Sequence, residues 1–244
     1  MQRSQGSGGF GGFNNRLTPL AKNTLIGLVA IYVVQIILIH WLHLPIQRWL
    51  YLWPVHSGSW MPWQLVTSQV LNYDSFSLGV LFDWMMVYFF AGQVERMFTT
   101  KKYIKAMAFA LAVAAVMTGL LDLVGALANP TTFVGQRAFT IALIAFFGLS
   151  IPHAKIMLFP IPIEIKASWV AWGSGFLALI YFIIGRDLGS SMGLFGWVGA
   201  WAWLNGGDTI SKLKNRKKSS EREKEMSRFT VHQGGRGDDD EYIH

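Results

Sequence analysis

The sequence contains no cysteine. That absence excludes disulfide scaffolds, thiolate metal sites and cysteine nucleophiles together. Charge is scarce as well: only 14% of the 244 residues are charged, where a soluble domain carries about 25%, and 52% are hydrophobic. Acidic residues are outnumbered, 14 against 21 Lys and Arg, for a net charge of +7. In a soluble chain that balance would point to nucleic acid. Here the mean hydropathy of +0.34 points to a bilayer instead, and no nucleic-acid partner is expected.

A membrane span needs about 20 apolar residues. Six stretches approach this: Thr24–His40, Ser77–Val94, Ala106–Leu127, Phe133–Ile151, Ser168–Ile184 and Leu188–Leu204. The expected fold is an all-α membrane protein, a six-transmembrane-helix bundle. The start of the chain is polar and rich in Gly and Ser, so the first span reads as an uncleaved signal anchor. Residues 1–22 are expected to form a disordered cytoplasmic segment, 23–206 the membrane domain, and 207–244 a charged, largely disordered cytoplasmic tail.

Lys and Arg concentrate in cytoplasmic segments. With both termini inside, the cytoplasmic side holds Arg3, Arg16, Lys22, Arg96, Lys101, Lys102, Lys105, Lys155, Lys166 and the nine basic residues of the tail. The opposite side holds Arg48 and Arg186. Within the tail, Lys212, Lys214, Arg216, Lys217 and Lys218 follow the last span and act as a topology anchor that touches anionic headgroups. The missing thiols and plain polybasic tail suit a bacterial inner membrane.

Five of the eleven tryptophans (Trp41, Trp49, Trp53, Trp60, Trp63) fall in the first outer loop, between about Trp41 and Asp74. Tryptophan prefers the headgroup boundary, so this loop is expected to lie in the outer leaflet. A small subdomain on the outer side is the alternative.

Two ionisable residues fall inside spans: Asp83 in the second and Arg137 in the fourth. Such groups are costly and mark functional sites by default. A buried Asp83–Arg137 ion pair would offset much of the cost; otherwise Arg137 snorkels to phosphates. The last span carries Gly189, Gly193, Gly196 and Ala200 at small-xxx-small spacing, which permits close helix approach. The six histidines (His40, His43, His56, His153, His232, His244) fall in loops, span ends or the tail. Neither H-E-x-x-H nor a clustered ligand set occurs, so no metal and no cofactor is expected.

Several local patterns resemble the rhomboid family of intramembrane serine proteases. Trp63-Gln64-Leu65-Val66-Thr67 resembles the family's W-R-x-x-T. Leu81-Phe82-Asp83 through Gly92-Gln93-Val94-Glu95 resembles L-F-N … G-G-x-V-E. Val134-Gly135-Gln136-Arg137-Ala138 followed by Ala145-Phe146-Phe147-Gly148 resembles the G-x-S-G helix. Leu158 to Ala167 resembles the inner loop of many bacterial members. The likeness runs from about Leu25 to Asn205.

The resemblance implies a serine on the fourth helix, a histidine on the sixth, and His and Asn on the second to stabilise the oxyanion. This chain has Arg137 at the serine position and Ala138 after it. Gly193 stands at the sixth-helix histidine, or Leu194 if the register slips by one. Gly79 and Asp83 occupy the second-helix positions, and Gln64 replaces the arginine of W-R. Gly189-Ser190-Ser191-Met192-Gly193 spells G-x-S-x-G, but a nucleophile elbow needs a strand–turn–helix. Ser174 lacks a partner in its span. Because the second-helix Asn faces the serine in the family, the resemblance also makes Asp83 and Arg137 neighbours.

The implied function is that of an inactive rhomboid-like protein. Such members bind transmembrane segments of client proteins and influence their folding, trafficking or degradation. The long Trp-rich loop and the gap between the second and fifth spans are the expected client sites. An active rhomboid endopeptidase and a small-solute transporter remain the alternatives. The sequence assigns neither a client nor an oligomeric state.

Overall fold

A computed structural model describes residues 18–73, 77–157 and 164–206. The chain divides into two units, Met1–Leu204 and Asn205–His244. Most of the N-terminal segment, the tail from 207 onward and the 158–163 part of the inner-loop motif lie outside the described residues.

Helix α1 spans Pro19–Ile36 and runs on through a π-helical turn, Ile37–Trp41. It begins before the expected domain boundary at 23, so residues 18–22 belong to the folded unit. The cause is local and tertiary together. Pro19 sits in the first turn, where its missing N–H costs nothing, and a buried glutamate described below accepts from the helix start. Two short helices, α2 (Ile46–Leu50) and α3 (Gln64–Thr67), flank a 3₁₀ turn at Val55–Ser57. Next come α4 (Leu78–Met86), a π-helical turn (Val87–Ala91) and α5 (Gly92–Met97), an unbroken helical run. Helix α6 covers Thr100–Leu123 and α7 Arg137–Ser150. Strands β1 (Lys155–Met157) and β2 (Glu164–Lys166) pair antiparallel, with Ile156 opposite Ile165. Helices α8 (Ala167–Gly185) and α9 (188–206) complete the described residues.

Each of the six apolar stretches is therefore helical. Among the described residues, Pro19–Trp41, Thr100–Leu123 and Ala167–Gly185 are long and apolar enough to cross a membrane. Helix α7 is a shorter apolar helix; at 1.5 Å per residue its 14 residues extend only about 21 Å.

Helix α7 is the centre of the bundle. Ala138, Ala142, Leu143, Ala145 and Phe146 are fully buried, and α4, α5, α6 and α8 all pack on it. Small residues set how near the helices come. A Cβ on Gly148 would collide with the Ala167 carbonyl and lie 2.6 Å from Ala171 Cβ. One on Gly196 would lie 2.7 Å from the Ala138 carbonyl oxygen, and one on Gly199 2.8 Å from Ala110 Cα. Ala200 is wholly buried in the same core. Without a hydrophobic drive between helices in lipid, such close backbone packing carries the association.

The outside is as apolar as the inside. Ile26, Val34, Val116, Ile183 and Ile184 are all more than half exposed. In water an apolar surface on that scale would aggregate; against lipid tails it costs nothing.

Helices α6 and α7 also depart from the expected limits. Helix α6 starts six residues early, because its basic first turn (Lys101, Lys102, Lys105) is helical although not apolar. It stops at Leu123, where Gly125 takes a left-handed φ of 69°. Helix α7 begins at Arg137 rather than Phe133. Phe133 instead forms a β-bridge with Leu52, and Gly135, at φ 141°, donates its N–H to the Ser68 carbonyl at 2.9 Å.

Candidate functional site

The segment between α1 and α4 is a folded cap held by buried amides. Gln64 is fully buried and uses both ends of its side chain. Its Oε1 accepts from the backbone N–H groups of Trp53 (3.3 Å) and Met61 (3.1 Å). Its Nε2 donates to the carbonyls of Arg48 (3.0 Å) and Ser59 (3.1 Å). Four loop backbone groups are thus satisfied by one residue. This is the position where the rhomboid pattern has arginine. Here a neutral amide makes these four bonds without a buried charge.

A second amide ties the cap to α1. Gln35 Nε2 donates to the Tyr51 hydroxyl (2.9 Å) and the Asn72 carbonyl (2.5 Å), while its Oε1 accepts from the Asn72 N–H (3.1 Å). Asp122, at the end of α6, accepts from the Val55 N–H at 2.6 Å. Of the expected interface tryptophans, Trp49 and Trp63 are about half exposed, and Trp63 Nε1 donates to the Trp49 carbonyl at 2.9 Å. Trp53 and Trp60 are half-buried; Trp53 Nε1 donates to the Gln47 carbonyl, and Trp60 packs on Leu52 and its neighbours.

The four positions singled out through the resemblance do not all converge. Arg137 opens α7, and its aliphatic stem lies on Gly193: a Cβ there would be 3.2 Å from both Arg137 Cγ and Cδ and 3.0 Å from Ile141 Cδ1. The two positions that the resemblance assigned to the serine and the histidine therefore lie side by side, with the Arg137 stem against Gly193. Asp83 reaches α7 as well. Its Oδ1 accepts from the Thr140 hydroxyl at 3.0 Å, one turn beyond Arg137. Gly79 is exposed and meets only Ser77.

The expected buried Asp83–Arg137 ion pair is corrected by this geometry. Arg137 is exposed and Asp83 half-buried, and the salt bridge among the described residues is Lys155–Glu164, at 2.7 Å across the β1–β2 pair. Asp83 and Arg137 act on each other only through the longer-range attraction of their charges. The physical reason is Thr140. Its hydroxyl donates directly to the carboxylate, and the stem of Arg137 lies against Gly193 of α9. Thr140 was readable as a polar residue three positions from Arg137, on the same helical face.

The serines that could have carried displaced chemistry are engaged within their own helices. Ser191 is fully buried and its hydroxyl donates to the Leu188 carbonyl at 2.8 Å; that of Ser174 donates to the Ala171 carbonyl at 2.8 Å. Asp187 caps α9, accepting from the Ser190 N–H at 2.6 Å. Gly189 lies against the Phe133 ring.

A further buried carboxylate escaped the sequence reading. Glu95, on α5, accepts from the Thr18 hydroxyl and from the Ala21 N–H at 3.2 Å with one oxygen, and from the Thr100 hydroxyl at 3.3 Å with the other. It satisfies the open start of α1 and meets its dipole.

A family model for eukaryotic integral membrane proteins (DUF1751) matches residues 24–229. The chain belongs to that family. Membership corrects the expected bacterial inner membrane, since the family is eukaryotic. The features behind that expectation, absent thiols and a basic tail, are compositional and carry no information on the kingdom. The match begins within α1 and includes every later helix through α9. No curated protein matches the sequence.

Proposed function

We propose that this family member is a catalytically inactive, rhomboid-like protein that crosses the bilayer six times and binds transmembrane segments of client proteins. The observation that carries the reading is the contact of the Arg137 stem with Gly193. A guanidinium cannot attack a carbonyl, and the histidine position has no side chain to take a proton. Ser174 and Ser191 donate to carbonyls of their own helices, which leaves both without a base.

What persists is a bundle with a rigid cap and an apolar exterior. Helices α4 and α8 each pack on α7, and both expose large apolar side chains, among them Phe82 and Met85 on α4 and Trp172 and Phe176 on α8. That is the neighbourhood in which a client helix would lie. Both termini face the cytoplasm on this reading, by the distribution of Lys and Arg.

The test is reconstitution with a model transmembrane substrate and a fluorophosphonate probe. The expected outcome is retention of the intact segment with no labelled protein. Cleavage or labelling abolished by Ser191→Ala or Ser174→Ala would overturn the proposal.

A further inference from the structure

We infer that Arg137 is the polar anchor of the client site, and that the segments it holds carry a carboxylate within the membrane. This rests on the client-binding reading above and deepens it.

Three observations lead there. The Arg137 guanidinium is exposed and makes no hydrogen bond or salt bridge among the described residues. Its Cγ and Cδ lie against Gly193 of α9, which places the base of the side chain between α7 and α9. The residues before it are buried beneath the cap. Phe133 bridges to Leu52, Gly135 donates to Ser68, and Gln136, fully buried, donates Nε2 to the Val70 carbonyl at 3.4 Å. Arg137 therefore emerges on the side of the bundle under the cap, not at the tip of an outer loop.

An unpaired cation on a lipid-facing surface is costly, and so is an aspartate or glutamate in a client helix. Bringing the two together relieves both, with a charge-assisted and, for arginine, bidentate contact. The resident carboxylate, Asp83, competes only weakly, because its Oδ1 is engaged by Thr140 and it forms no direct bond to Arg137. The rival occupant is a lipid phosphate. The cap above residues 133–136 favours the client.

The test uses the full chain in nanodiscs of zwitterionic lipid, with leucine-rich transmembrane peptides that differ at one outer-third position: Asp, Asn or Lys. Capture is read by photocrosslinking. The Asp peptide should be retained about tenfold over the Asn peptide, and the Lys peptide least. Arg137→Gln should erase the preference and Arg137→Lys should keep it, which separates loss of charge from loss of fold. Asp83→Asn should raise capture of the Asp peptide by removing the competing carboxylate. Equal capture of all three peptides would overturn the anchor and leave client binding standing. Capture of none would overturn both. A preference that disappears when anionic lipid is added would assign Arg137 to headgroup phosphate and overturn the inference.

Discussion

Replacing Gln64 should loosen the whole outer cap. Its side chain makes four hydrogen bonds to loop backbone from a fully buried position. Each is worth about 1 kcal/mol net, and a buried group left unpaired costs about 1–3 kcal/mol. Arg48 is exposed, so its carbonyl finds water again; the groups of Trp53, Ser59 and Met61 are half-buried and recover less. Gln64→Ala should therefore destabilise by about 2–4 kcal/mol, which for a domain of this size lowers Tm by about 5–10 °C. Gln64→Leu keeps the volume but not the bonds, and should lose nearly as much. The assay is thermal unfolding in detergent followed by tryptophan fluorescence, with exposed Val66→Ala as the neutral control. Wild-type stability in Gln64→Leu would refute the reasoning, because packing alone would then account for the residue.

Three further outcomes follow from named contacts. Gly196→Val places its Cβ about as near to the Ala138 backbone as the 2.7 Å approach already described, so α9 must move off α7; a loss of about 1–3 kcal/mol or more is expected in the same melt. Glu95→Ala strips partners from Thr18, Ala21 and Thr100 and should cost about 2–3 kcal/mol, with faster proteolysis near residue 20 as a local readout. A double-mutant cycle of Asp83→Asn and Thr140→Val should return a coupling of about 1 kcal/mol; the same cycle between Asp83 and Arg137 should return less, since they share no direct contact.

Much of the fold was legible because lipid solvent makes helices long and apolar. Each of the six stretches is largely helical among the described residues, three of them long and apolar enough to cross a membrane, and α8 lies within a residue of the expected limits. Boundaries shifted where tertiary contacts outweigh apolarity. Phe133 reads as helix from its neighbours, yet it pairs with Leu52, eighty-one positions earlier in the chain, and no local pattern reveals that. The site was partly legible. Helix α4 packs on α7, and the Arg137 stem lies against Gly193. The direct ion pair failed because charge alone was considered, whereas Thr140 offered Asp83 a hydroxyl at closer range. Glu95 and Gln64 were visible as letters in motifs, but their roles as caps depend on backbone groups far away in sequence. The kingdom was not legible in composition at all.

The most direct test of the account is site-specific photocrosslinking in reconstituted membranes containing one defined transmembrane segment. Probes would replace Phe82 and Met85 on α4 and, as a distant apolar control, Val116 on α6, all exposed. The account predicts adducts with the intact segment from Phe82 and Met85 and lipid adducts alone from Val116. Equal segment adducts at all three positions, or adducts only with a cleaved segment, would contradict it.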